Sequence, residues 1–448
     1  MRYSAAPNNG EKMNMIQTCM PLLVAIAVLY AAHGVEKADA FGLMSQSKTK
    51  KALLSSPIHN NFKSKLFTTK NDDNNEQLLS FHCKSGSTDL TESTYTQVLY
   101  TENVPSASIL RSEYDALFHD PRQPSSNRFA FDPWFVSCSE GINGQLAPLP
   151  GDDEEEDVLP GEREACASQT QYSLKRIQAS TLFNDTTYEA LINDITSLAN
   201  TIGCTSTTPP WTSIYINGDS QNFHSDATHG PMAWTYSLTL DEHYSSYFTG
   251  GETIMMKPNM LDYWRNYDCQ KGLEAPSIIR YLPPKFGRFV AFDGRVPHGV
   301  NKVHGTNDPR KARIMIHGWF AEPQTIWFGD FEEEATQQEK ANLILEQALN
   351  PLITALGSGE IGRVLGYLAI RINISPDGSV DSIQSVCDTL VADPADYRGV
   401  IGYDEDDNEV FEDACVDLKL TIHEALSSDL YFPETANGGS VIVPFDFV

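Results

Sequence analysis

His224-Ser225-Asp226 follows a short β-type run, and His298 lies near the end of the same β-rich region. Two imidazoles and one carboxylate supply neutral nitrogen twice and anionic oxygen once, leaving the other coordination positions of a cation open. That donor set suits non-haem Fe(II), because the free positions admit a bidentate acid and dioxygen. The His-x-Asp pair alone is weak, since a chain with 60 acidic residues shows one by chance. The surroundings add to it. Residues 284–294 (PKFGRFVAFDG) run straight into Val296-Pro297-His298-Gly299-Val300, and residues 313–320 (RIMIHGWF) return as a strand. At period two, Arg313, Met315, His317 and Trp319 share one face. An inward arginine near the metal is what a five-carbon dicarboxylate needs for its far carboxylate.

Holding these side chains requires a β scaffold. From Trp211 to Phe320 the chain breaks into short runs split by turns: Ser213–Ile216, Trp234–Leu240, Glu252–Met256, Arg288–Phe292 and Arg313–Phe320. Strands at such spacing predict a sandwich or barrel. Upstream, Thr186-x-x-Glu189 reads as a capping box for a helix with apolar residues at Tyr188, Leu191, Ile192, Ile195, Leu198 and Ile202, ending at Gly203. A second amphipathic helix spans about 332–349 and stops at Asn350-Pro351. Beyond it, Arg363–Ile374 and Ser379–Val386 read as strands around the turn Ser375-Pro376-Asp377-Gly378. Asp417–Leu430 reads as a helix and Ser440–Phe447 as a last strand. The fold class is therefore mainly β with flanking helices, plus a small C-terminal α+β domain.

The N-terminus reads as an address. Met20–Ala32 is one apolar run of 13 residues with Arg2 and Lys12 upstream, short for a span but suited to a signal-peptide core ending near Ala38-Asp39-Ala40. From 41 to 71 there are six lysines, many Ser and Thr, and no acid, a transit-peptide composition. The pair of segments, with Phe41 opening the second, resembles the two-part plastid signals of algae with complex plastids. Plastid import is the expectation, with the secretory pathway or ER lumen as the alternative and no stable membrane span after processing. The full chain carries −28, and loss of residues 1–71 leaves −34. Such a surface repels phosphate backbones, so nucleic acid is not an expected partner. Eight scattered cysteines with no CxxC pair read as idle thiols rather than a disulfide framework. The expected order is a signal peptide at 1–40, the transit-like segment at 41–71, and an extension at 72–164 with the solvated acidic loop Asp152–Asp157. The catalytic domain covers 165–335 and the C-terminal domain 356–448.

Tyr215, Gly218, His224-x-Asp226, Gly250-Gly251-Glu252-Thr253, Phe286-x-Arg288, Pro297-His298-Gly299-Val300 and the run from Arg313 through Trp319-Phe320 resemble the prolyl 4-hydroxylase-like Fe(II)/2-oxoglutarate dioxygenases over about residues 209–322. The resemblance implies a double-stranded β-helix (jelly-roll), iron held by His224, Asp226 and His298, and Arg313 on the C5 carboxylate of 2-oxoglutarate. Arg310, in the turn Asn307–Arg310, is second choice because Arg313 opens the strand. Tyr215 matches a family tyrosine of the cosubstrate pocket, and Thr239 has the strand parity to reach the same carboxylate. Either could equally be ordinary barrel packing. Trp319 reads more readily as core, and His229, His243, His304 and His317 form no pattern. The family chemistry consumes 2-oxoglutarate and O2, releases succinate and CO2, and takes ascorbate as the helper that keeps iron ferrous. The substrate, a peptidyl proline or a small metabolite, is not specified. Residues 227–234 (ATHGPMAW) depart from collagen-type prolyl hydroxylases and look closer to uncharacterised algal members of the superfamily. Residues 366–380 and 441–447 resemble the TonB C-terminal domain, in which an exposed strand edge can pair with a peptide partner. The rival expectation is a non-catalytic protein that holds metal while its C-terminal module recruits a partner.

Overall fold

The computed structural model describes residues 79–81, 90, 95–117, 172–258, 275–393, 400–403, 409–411, 414–427 and 430–448. The predicted signal core, the transit-like segment and the acidic loop lie outside the described residues.

Twelve strands build the first body. In chain order they are β1 (Leu99–Thr101), β2 (Tyr172–Ser173), β3 (Lys175–Gln178), β4 (Cys204–Thr207), β5 (Trp211–Tyr215), β6 (Ser220–His224), β7 (Met232–Ser237), β8 (Thr253–Met256), β9 (Ile279–Leu282), β10 (Phe289–Asp293), β11 (His298–Val300) and β12 (Arg313–Pro323). One sheet runs β1-β10-β7-β12-β5-β3, with β4 also on β12; the other runs β2-β6-β11-β8-β9. All pairings within them are antiparallel. From β5 to β8 the chain changes sheet at every strand, and again from β9 through β12, which is the winding of a jelly-roll.

The larger sheet is two-faced for the reason period-two strands always are. On β12, Ile314 and Ile316 point into the apolar core, whereas Arg313, Met315, His317 and Trp319 line a cavity between the sheets. The core face is covered by two helices, α1 (Ala107–Ala116) and α2 (Asp185–Asn200). Helix α2 buries Leu191, Ile195 and Leu198, each contributing about 1.5–3 kcal/mol of transfer free energy. Its cap differs from the expected capping box. Asn184, not Thr186, caps it, its side chain accepting from the Thr187 amide at 3.0 Å, with Asp185 in the first turn against the helix dipole. Helix α1 was not anticipated, although Leu110 and Tyr114 sit one turn apart and are fully buried.

The C-terminal sheet runs β13 (Ile326–Gly329), β19 (Gly439–Phe447), β14 (Val364–Ile374) and β15 (Val380–Asp388), with β16 (Val391–Ala392) on β14. A ribbon of β17 (Val400–Tyr403) and β18 (Glu409–Phe411) stands apart. Helices α3 (Ala335–Ser358) and α4 (Ala414–Ser427) cover one face, over Leu368, Ile370, Ile372, Val441 and Val443. The opposite face brings Tyr367, Ala369, Cys387 and Ile442 into the jelly-roll's own core. Helix α3 runs through Pro351 instead of stopping there. Proline inside a helix costs about 3 kcal/mol, and full burial of Leu349 and Leu352 on either side offsets it.

Candidate metal centre

His224 ends β6 and His298 begins β11, and the two strands pair so that these histidines are register partners. Their rings lie 4.3 Å apart. Asp226 follows in the turn, its Oδ1 3.7 Å from His224 Nε2 and its Oδ2 3.2 Å from His298 Nε2. One donor atom from each residue lies within 4.8 Å of the others, the only such group of three among the described residues. Gly299 makes the strand crossing feasible, since a Cβ there would stand 2.6 Å from the Gln221 carbonyl oxygen.

Both imidazoles are oriented from behind. His224 Nδ1 donates to the Asn222 carbonyl at 2.9 Å and His298 Nδ1 to the Val296 carbonyl at 2.8 Å. A carbonyl only accepts, so each Nδ1 carries a proton and Nε2 is the nitrogen left to face a cation. Burial and the neighbouring His298 hold the His224 pKa below its ordinary value, which keeps it neutral. Burial alone would raise Asp226; in the acid range where it titrates, the hydrogen bond to His298 and the charges of both histidines outweigh that and bring the carboxyl to about 2, whereas metal binding needs both Nε2 atoms unprotonated. Two imidazole nitrogens and one carboxylate, with spacings near the ~3 Å expected of adjacent ligands on one cation at ~2.1 Å, fit a divalent metal.

Trp319 belongs to the site rather than to the core. Its Nε1 donates to Asp226 Oδ2 at 3.1 Å, and its ring stacks on His229 at 4.4 Å. Its parity with Arg313 was the available signal. Trp319→Phe should weaken Co(II) affinity roughly tenfold, as loss of an outer hydrogen bond does, while keeping the stack. Competition titration with a chromophoric chelator checks this, and unchanged affinity would mean the indole N–H does not orient the carboxylate.

Arg313 is 2% exposed. Its Nη2 donates to Thr253 Oγ1 at 3.0 Å and its guanidinium lies 4.5 Å over the Tyr215 ring. Its Nε has no hydrogen-bond partner, and among the described residues no carboxylate forms an ion pair with it. A buried guanidinium left this way can pair with a carboxylate from outside the chain. Tyr215 lines the same cavity and donates to Gln221 Oε1 at 3.2 Å; the Gln221 amide in turn donates to His224 Nε2 at 3.1 Å. A bound cation would take that lone pair, so Gln221 must turn aside.

Thr239 does not line the cavity. Strand β7 ends at Ser237, so the expected parity no longer applies, and the buried Thr239 hydroxyl accepts from Ile314 N at 2.9 Å and donates to Ile314 O at 3.2 Å. Thr253, from the Gly-Gly-Glu-Thr run, is the threonine that meets Arg313. Arg310 is exposed and paired with Asp308 at 2.9 Å. His317 faces the cavity beside Ser213 at 2.8 Å, and burial with the nearby Arg176 pushes its pKa down to about 3. The cavity, about 600 Å³, also holds Arg176, whose guanidinium lies 4.6 Å from the Trp211 ring.

The sequence matches no family model, and no curated protein matches it. Its fold is similar to solved prolyl hydroxylases and 2OG-Fe(II) oxygenases. A prolyl hydroxylase from Trichoplax adhaerens, in complex with a hypoxia inducible factor oxygen degradation domain peptide fragment, is 12% identical. The match covers 50% of this chain and 83% of that one, with a TM-score of 0.31. A Pseudomonas putida prolyl-4-hydroxylase is 15% identical over 50% of this chain and 92% of that one, with a TM-score of 0.26. An oxidoreductase of the 2OG-Fe(II) oxygenase family from Burkholderia pseudomallei is 13% identical over 54% and 94%, with a TM-score of 0.30.

Proposed function

We propose that the chain is an Fe(II)- and 2-oxoglutarate-dependent oxygenase that hydroxylates a C–H bond. The observation that carries this reading is one cavity holding both a two-histidine, one-carboxylate donor set and a buried guanidinium that has no ion-pair partner among the described residues. His224, Asp226 and His298 would hold the metal, and Arg313 with Thr253 would hold the far carboxylate of the cosubstrate. Bound together, Fe(II) and 2-oxoglutarate supply dioxygen activation, with succinate and CO2 released as the substrate is hydroxylated.

The protein's share is binding, orientation and dryness. Asn222 and Val296 carbonyls fix the imidazole tautomers, and Trp319 fixes the carboxylate. Phe292, Met315, Val300 and Ala233 line the cavity with apolar surface that limits water. The C–H bond hydroxylated belongs to a peptidyl proline or a small metabolite. Ascorbate as the reductant that keeps iron ferrous belongs to the same proposal.

A protein that merely stores metal would have no use for Arg313, because an unpaired buried charge costs several kcal/mol. The test is uncoupled turnover. Purified protein with Fe(II), ascorbate and 2-oxoglutarate should form succinate in an oxygen-dependent manner. Metal retention without succinate would favour the storage reading. We further propose that residues 1–71 direct plastid import; a fluorescent fusion of residues 1–80 that stayed in the cytosol would refute that.

A further inference from the structure

The end of β10 and the turn to β11, residues 293–297, touch both halves of the donor set. The Asp226 amide donates to the Gly294 carbonyl at 2.8 Å, and His298 Nδ1 donates to the Val296 carbonyl at 2.8 Å. Ser225 Oγ lies 3.3 Å from the Gly294 carbonyl. The approach is close: a Cβ on Gly294 would meet the Asp226 backbone at 3.3 Å. A shift of this turn therefore moves the carboxylate and one imidazole together.

The far side of the same turn is held by the C-terminal sheet. Asp293 is buried and accepts from Arg295 Nε at 2.7 Å and Nη2 at 2.9 Å. Thr389, between β15 and β16, donates to Asp293 Oδ2 at 2.8 Å. The remaining arm of Arg295 crosses to β19, donating through Nη1 to Asp446 Oδ1 at 3.1 Å and to the Phe447 carbonyl. A planar guanidinium with donors on both edges can bridge in this way, where a lysine could not.

We propose that the C-terminal sheet is the outer support of the metal centre and that Asp293 and Arg295 are the positioning pair through which it acts. The inference rests on the metal-centre reading above. It assigns the C-terminal unit a role in metal affinity: undocking β19 from the turn would release Asp226 and His298 from their bonding positions, with no ligand altered.

The test uses the full chain and Co(II), followed by visible absorption and by competition with a chelator, next to thermal melting of the metal-free protein. Asp446→Ala and Thr389→Val each cut one tie between sheet and turn; the second keeps side-chain volume in case the first does not fold. Tyr367→Phe is the control. It removes a hydroxyl that donates to the Ile202 carbonyl at 2.7 Å across the same interface, without touching the turn. The expected result is about a tenfold loss of Co(II) affinity, with altered absorption bands, in the two turn variants. Tyr367→Phe should lower the melting temperature only. Turn variants that fold and bind Co(II) as the native chain does, or a Tyr367→Phe chain that loses affinity to the same degree, would overturn the positioning role alone. A native chain that takes up no Co(II) would overturn the metal centre itself.

Discussion

Asp226→Ala should give a folded protein that neither retains Fe(II) nor forms succinate from 2-oxoglutarate. Of the three donors it is the only anion, and losing it should cost more than the 10- to 100-fold typical of an outer partner, so roughly three orders of magnitude in affinity. The carboxyl also works for the fold. Its pKa falls from 3.8 to about 2, so its stabilising contribution is present above pH 3.8 and disappears as pH drops through 2. The substitution leaves the Trp319 N–H without its acceptor, which costs about 1–3 kcal/mol, small enough for the jelly-roll to survive. Circular dichroism and iron analysis check the two halves separately. Iron bound at native affinity would remove Asp226 from the centre.

Arg313→Met should weaken 2-oxoglutarate binding by about 10²- to 10³-fold while the metal stays bound. The range corresponds to loss of charge-assisted, bidentate hydrogen bonds in a buried site. A second effect runs the other way. Removing a buried cation that has no ion-pair partner among the described residues should raise the melting temperature of the ligand-free protein. Binding and stability moving in opposite directions would mark a group kept for its ligand. A lower melting temperature with unchanged 2-oxoglutarate affinity would make Arg313 an ordinary structural residue. Isothermal titration with Mn(II) in place of iron, beside a thermal melt, reads both.

The grouping of His224, Asp226 and His298 was legible in the sequence from the order and spacing of the motifs around them, since a His-x-Asp pair alone is common. Arg313 followed from strand parity together with the family resemblance and its place at the start of the strand, and the same parity places Met315, His317 and Trp319 in the cavity. Parity failed at Thr239 because it holds only while a strand lasts, and β7 stops two residues earlier. Asn184 and Thr186 are both competent caps; Glu113, holding the Asn184 side chain at 2.7 Å, favours the first, and no local pattern shows that contact. Pro351 misleads for a similar reason: the burial that carries α3 past it comes from a sheet formed far along the chain. The insertion of β19 between β13 and β14 is likewise a long-range pairing.

The register that sets His224 opposite His298 has one more consequence. Strand β6 is half-exposed and β11 has three residues, so this part of the smaller sheet has little apolar burial of its own. An ion gripping both rungs would act as a rivet between segments distant along the chain, closing a long loop whose entropy must otherwise be met by weak pairing. Stripping the metal should then let this sheet fray before the helix-backed sheet does, and amide exchange would slow along β6 and β11 when the rivet is replaced.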